Sequence, residues 1–125
     1  MTDNQTTIFM KQAAQEAESN LTTQDGGPFG CVIAKDGQLL VSAHNQVLKD
    51  QDPTAHAEIT AIRKATKKLG SYDLSGYTLY TSCYPCPMCL GAIIWSNIKV
   101  VYYGNSAKAV SYTHLRAHET RRHGV

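Results

Sequence analysis

Asp52-Pro53-Thr54-Ala55-His56-Ala57-Glu58, answered further along the chain by Pro85-Cys86-Pro87-Met88-Cys89, puts one imidazole, one carboxylate and two thiols in metal-ligand spacing. A borderline-soft dication such as Zn2+ takes imidazole nitrogen and thiolate sulfur in a tetrahedral array, and a catalytic zinc site uses three protein ligands with a fourth position open to water. His56, Cys86 and Cys89 supply those three. Glu58, two residues past the histidine, can reach a water at the open position without ligating, which is the placement of a proton shuttle. The competing readings are a structural zinc knuckle, or a redox Cys-x-x-Cys beside an unrelated histidine. A structural site closes with four ligands and has no use for Glu58, so the catalytic reading leads. Cys83 is accordingly read as a small buried residue before the turn, not as a fourth ligand, and Met88 and Leu90 as packing residues.

The flanking elements follow from pattern. Asp52, Pro53 and Thr54 offer capping oxygens and a proline suited to a helix start, and Ile59, Ile62, Ala65 and Leu69 then recur at helical spacing until Gly70. Arg63, Lys64, Lys67 and Lys68 lie mainly off that stripe and read as a solvated face. Upstream, apolar runs at 29–35 and 39–43 flank Asp36-Gly37, a dipeptide favoured in type I′ turns, and predict two antiparallel strands. Ile8, Phe9 and Met10 followed by Ala13, Ala14 and Ala17 predict a first helix ending near Ser19 and covering one face of a sheet. Downstream, residues 77–82 predict a third strand, 87–96 a helix and 99–103 a fourth strand, a succession that implies parallel neighbours joined by a right-handed crossover. His56 and Glu58 then fall in the first turn of one helix, Cys86 and Cys89 at the first turn of the next. Two helix N-termini can converge on one metal, their positive ends favouring thiolate, and Pro87 is tolerated because a first-turn N–H has no helical partner to lose.

Residues 110–125, beginning Val110-Ser111-Tyr112-Thr113-His114-Leu115-Arg116, back-translate to a string that looks like a transposase-type sequencing-library adapter and are read as a non-native tail. Read instead as a genuine basic tail, they would offer His114, His118 and His123 as metal ligands or a nucleic-acid arm. Residues 1–109 are then expected to be one C-terminally truncated domain, long enough to bury a single core. The chain carries 12 Lys and Arg against 10 Asp and Glu, but three of the bases and one of the acids lie in the tail, leaving residues 1–109 balanced at 9 against 9. A neutral domain offers no broad electrostatic footprint for a polyanion, which disfavours nucleic acid as a partner. No stretch is apolar enough to span a bilayer and residues 1–19 have no apolar secretion core, so a membrane partner is not expected and a cytoplasmic, reducing setting is. Cys31 and Cys83 need no disulfide partner there.

Gly27-Pro28-Phe29-Gly30, the Asp52 to Glu58 segment and Thr81-Ser82-Cys83-Tyr84-Pro85-Cys86-Pro87-Met88-Cys89-Leu90-Gly91-Ala92-Ile93 together resemble the cytidine-deaminase-like superfamily, and within it the bacterial guanine deaminases and their nucleoside deaminase relatives. The resemblance runs over residues 26–109. It implies an α/β fold of three layers, α/β/α, with a mixed sheet ordered 2-1-3-4-5, here truncated after strand 4. It also implies Zn2+ on His56, Cys86 and Cys89, with Glu58 as the catalytic acid and base, and hydrolytic deamination of a free nucleobase, guanine to xanthine plus ammonia. Asn45 is expected to offer its amide to the edge of the base and Ala57 its backbone N–H to a ring substituent. Phe29 and Trp95 present aromatic faces that suit a flat heterocycle. A small-molecule nucleobase substrate and a homodimer are the partners implied. Tyr84 stands where guanine deaminases usually carry Glu. The family continues past the fourth strand, so residues 100–103 are expected to form an unprotected apolar edge.

A tRNA adenosine deaminase has a similar Asp52 to Glu58 segment and is the alternative, as is a deaminase of cytosine or another small aminated heterocycle. From a different class, the chain could be a zinc-binding interaction module without catalysis, which ammonia release from a panel of bases distinguishes from every enzyme.

Overall fold

A computed structural model describes residues 2–104 and 112–116. Helix α1 (Thr2–Thr23) runs about a turn beyond the expected Ser19. The extension has a cause in burial: Asn20 packs inside, and its carbonyl accepts the Gln24 N–H at 3.0 Å. Strands β1 (Gly30–Lys35) and β2 (Gln38–His44) form the expected antiparallel hairpin. Asp36 and Gly37 take φ of 52° and 79°, the two positive values that a type I′ turn requires. A single-turn helix, α2 (Val47–Asp50), follows β2. Four residues are too few for helical periodicity to register in sequence.

Helix α3 (Ala57–Leu69) begins later than the Asp52-Pro53-Thr54 signal suggests, with His56 at the cap position. Asp52 turns its oxygens on the loop instead of the helix: Oδ1 accepts the Thr54 N–H at 2.9 Å and its hydroxyl at 2.7 Å. Gly70 ends the helix at φ 70°, its N–H returning to the Thr66 carbonyl. Strand β3 (Thr78–Thr81), helix α4 (Pro87–Trp95) and strand β4 (Val100–Gly104) then complete a crossover, with β3 and β4 parallel.

The sheet is mixed and ordered β2-β1-β3-β4-β5, where β5 (Tyr112–Arg116) pairs antiparallel with β4. The edge expected to stand bare is therefore paired, which corrects that expectation. An edge strand presents a row of free N–H and C=O groups, and an extended segment that follows it closely in the chain can complete them. His118 and His123 lie outside the described residues.

Alternation along the strands separates two cores, because successive side chains point to opposite faces. Cys31 and Ile33 of β1, with Leu79 of β3 and Val101 of β4, pack under Ala57, Ala61 and Ala65 of α3 and Ile93 of α4. Val32 and Ala34 face the other way, where Phe9, Met10 and Ala13 of α1 meet Tyr80. The result is three layers, with α1 on one side of the sheet and α3 and α4 on the other. Gly30 permits the close approach of α1: a Cβ there would overlap the Ala13 carbonyl oxygen and lie 2.6 Å from the Ala17 nitrogen. Among the described residues, no helix is long and apolar enough to cross a membrane.

Candidate metal centre and substrate cavity

The fold brings the two sequence motifs together through matching local geometry. His56 is the N-cap of α3 and Cys86 the N-cap of α4, both with extended backbone, and neither side chain caps its helix by a hydrogen bond. Their side chains are free to face one another. Pro87 occupies the first turn of α4, as expected, and Cys89 lies in that same turn. Glu58 is the second residue of α3, so helix geometry sets it beside His56 but on a different bearing.

His56 Nδ1 lies 3.7 Å from Cys86 Sγ and 3.6 Å from Cys89 Sγ. A tetrahedral zinc with bonds of about 2.3 Å to sulfur and about 2.0–2.1 Å to nitrogen sets nitrogen–sulfur edges of about 3.6 Å, so the donor set fits that ion. The ligand atoms of His56, Cys86 and Cys89 all lie within 4.8 Å of one another, and no other group of three or more His, Cys, Asp or Glu among the described residues could hold a metal. Glu58 does not join them.

The electrostatics point the same way. Burial, reinforced by the neighbouring Glu58 and Cys86, pushes the Cys89 thiol well up from its ordinary value. Burial likewise raises the carboxyl of Glu58, which is only 7% exposed, against smaller opposing pulls from its own backbone N–H, the Cys89 thiol and His56. The Cys89 thiolate and the Glu58 carboxylate would repel one another, and a dication beside them reverses that repulsion into attraction. Cys31 lies beneath them, fully buried, its thiol also raised by burial first and Glu58 second.

A cavity of about 190 Å3 opens over these groups, lined by Phe29, Asn45, His56, Glu58, Cys83, Tyr84 and Cys86. Five of the eight residues singled out in the sequence (Phe29, Asn45, His56, Glu58 and Cys86) thus line one space, and Cys89 adjoins it through its contact with His56. Asn45 is buried at the end of β2, with its Oδ1 accepting the Val47 N–H at 3.0 Å. Among the described residues its Nδ2 has no protein partner, which leaves a donor for a ligand. Ala57, also expected here, is the first residue of α3, where an N–H has no helical acceptor. Trp95 is not brought to this cavity. It ends α4, whereas the cysteines start that helix, and it is 65% exposed. Tyr84 lines the cavity in its place, its ring set edge-on against Tyr103 with centroids 4.8 Å apart.

A larger cavity, of about 520 Å3 between α1 and the sheet, is lined by residues such as Gln5, Phe9, Tyr80 and Tyr102 and holds none of the ligating groups. Size alone does not locate the chemistry. Sequence patterning also misses the roles of the basic residues on α3. Arg63 donates to Asp52 and Thr54 at 3.0 and 3.1 Å, and Lys64 and Lys68 reach the Ser42 and Leu40 carbonyls on the edge strand β2. Spacing four apart on a helix matched to carbonyls two apart on a strand is the signal, and it is visible only once the strand is placed.

The comparisons with known proteins agree with this geometry. Guanine deaminase of Bacillus subtilis is 55% identical over 95 residues, covering 76% of this chain and 61% of that protein. The tRNA-specific adenosine deaminase of the same organism is 38% identical over 99 residues, covering 78% of this chain and 60% of that one. The chain thus spans about three fifths of the length of these curated relatives. The crystal structure of the Bacillus subtilis guanine deaminase superposes with a TM-score of 0.76 at 52% identity, over 79% of this chain and 63% of that one. A family model for the cytidine and deoxycytidylate deaminase zinc-binding region matches residues 3–105, which include the whole candidate metal centre. The chain belongs to the family of cytidine and deoxycytidylate deaminases defined by that zinc-binding region.

Proposed function

We propose that this protein hydrolyses the exocyclic amine of a free purine base, converting guanine to xanthine and ammonia, and that residues 1–109 carry this activity as one domain. The observation that carries the reading is the single cavity in which His56, Cys86 and Glu58 face Asn45 and Phe29. Its volume of about 190 Å3 lies below the roughly 300–1,000 Å3 typical of sites for drug-sized ligands, the scale of a bare heterocycle without its sugar and phosphate. The 55% identity to a guanine deaminase supports guanine over other bases.

His56, Cys86 and Cys89 would hold zinc, whose Lewis acidity brings the pKa of water toward neutrality. The Asn45 amide and the Ala57 N–H orient the base by its polar edge, and the Phe29 ring covers one face. Glu58 accepts the proton of the attacking water and passes it to the ring nitrogen beside the amino-bearing carbon as the new carbon–oxygen bond forms. It then takes the proton of the newly added hydroxyl and delivers it to the amine as the carbon–nitrogen bond breaks, so that ammonia leaves and a carbonyl remains. Burial suits Glu58 to this work, since desolvation raises its carboxyl from the ordinary range and so favours its taking up a proton.

The second reading, deamination of an adenosine in tRNA, has the support of the 38% identical relative. The charge balance favours the free base: residues 1–109 carry nine bases against nine acids and so offer no broad electrostatic footprint for a phosphate backbone. The test is ammonia release by the full chain from guanine, adenine, cytosine and a tRNA anticodon stem, each with and without a zinc chelator. Chelator-sensitive release from guanine alone supports the proposal. Release only from the stem, with a steep loss as salt rises, moves the assignment to RNA, and no release from any substrate leaves a non-catalytic zinc module.

A further inference from the structure

The base-binding side of the cavity is assembled from the first helix by contacts that the proposed chemistry does not use. Asn20, near the end of α1, is buried, and its Nδ2 donates to two carbonyls at once, Gly27 O at 2.8 Å and Asn45 O at 2.9 Å. Its Oδ1 is held in turn by the Thr23 hydroxyl at 2.7 Å. Those two carbonyls belong to the two chain segments that line the cavity. Phe29 donates its N–H to the Gly27 carbonyl at 2.9 Å, and Asn45 donates its own to the Phe29 carbonyl at 3.1 Å. Asn20 therefore cross-links the segment bearing the aromatic face to the segment bearing the amide. Gly26 completes the contact, because any Cβ there would collide with the Asn45 side-chain oxygen.

A second brace reaches the same loop. The His44 ring, one residue before Asn45, sits between two carboxylates, with Nδ1 at 2.8 Å from Glu16 and Nε2 at 2.8 Å from Asp25. Glu16 also accepts the Ser42 hydroxyl at 2.8 Å, and the backbone carbonyl of Asp25 accepts the N–H groups of Leu48 and Lys49, each at 2.9 Å. Residues within α1 and just past its end thus grip the chain on both sides of Asn45. None of these groups lines the cavity or touches the candidate metal ligands.

We propose that Asn20 is a positioning residue, braced by the Glu16–His44–Asp25 cluster, that holds Asn45 and Phe29 in register to receive the base and so sets substrate affinity without acting on the bond-breaking step. The inference rests on the reading of this cavity as the base-binding site. A ligand that must meet a preformed donor and a preformed aromatic face loses affinity when either is left to wander.

Asn20→Leu keeps the number and branching of the side-chain heavy atoms and removes both donated bonds. In the full chain, KM for guanine is expected to rise about tenfold, the equivalent of one net hydrogen bond, with kcat changed less than about threefold. Zinc content should stay at the wild-type level, and amide hydrogen exchange should accelerate at residues 26–29 and 45–49. His44→Gln should move KM and exchange in the same direction by a smaller amount, and it decides the matter if Asn20→Leu does not fold. The exposed neighbour Gln15→Ala serves as control. Unchanged exchange at both segments in a folded variant overturns the inference, as does a fall in kcat with KM unmoved. Wild-type protein that releases no ammonia from any base sinks the proposed function instead, and the exchange comparison still judges the positioning claim.

Discussion

Replacing Glu58 by Gln separates proton transfer from metal binding more cleanly than any other change in this protein. Gln has the shape of Glu, and the site is only 7% exposed, so the substitution opens no cavity and needs no repacking. The three candidate ligand atoms do not include the carboxylate, and the 3.6 and 3.7 Å edges from His56 to the cysteines are set by the starts of α3 and α4. Metal affinity should therefore survive. Loss of a general acid and base typically costs about 10²- to 10⁴-fold in rate, which is about 3 to 5 kcal/mol of transition-state stabilisation. Glu58→Gln is accordingly expected to retain zinc at the wild-type stoichiometry, measured by elemental analysis after gel filtration, while kcat for ammonia release falls by at least about a hundredfold. Loss of zinc in the variant would make Glu58 a ligand. Turnover within about threefold of wild type would mean that some other group carries the proton, and either result would falsify the role assigned here.

Zinc should stabilise the fold by linkage, by about 2.7 kcal/mol when free metal stands at a hundred times its Kd, so thermal melts of the chelated protein should rise on adding zinc back. Cys89→Ala should abolish that rise, and a rise that persists unchanged would remove Cys89 from the ligand set. Gly30→Ala should cost about 1–3 kcal/mol in urea unfolding, because the added Cβ must push α1 off β1 at the Ala13 carbonyl; an unchanged midpoint would show that the helix does not pack that closely. Hydrogen bonds from Thr54, with Arg63 beside them, hold the Asp52 carboxyl below its usual range. A depressed carboxylate adds stability above its unfolded value, near pH 4, that is lost as pH falls through the folded value. Asp52→Asn should hence be less stable than wild type at pH 7 and converge with it in acid, and a constant difference across the titration would remove the carboxylate as its cause.

Much of the candidate site was legible from residue types alone. His56, Cys86, Cys89 and Glu58 could be assigned to roles before any coordinate because a metal imposes its own ligand chemistry, and Pro87 and Gly70 marked helix limits for reasons local to the backbone. Asp36-Gly37 announced its turn in the same way. The substrate side was less legible. Phe29 and Asn45 do reach the cavity, but Trp95, equally aromatic and only six residues past Cys89, faces solvent at the far end of α4. Tyr84 takes the wall because it lies in the turn before that helix.

Ligand chemistry, the Asp36-Gly37 turn and the helix limits at Pro87 and Gly70 are properties of neighbours in the chain, and the amino-acid sequence by itself determined them. What only the tertiary structure decided is which distant groups share a space. Asn20 meets Gly27 and Asn45, His44 sits between Glu16 and Asp25, and Lys64 and Lys68 reach β2, through contacts 7 to 28 residues apart. Such pairings have no period and no motif. They arise from how α1 and α3 settle on opposite faces of the sheet, where burial leaves each polar group to find whichever partner the packing has brought within reach.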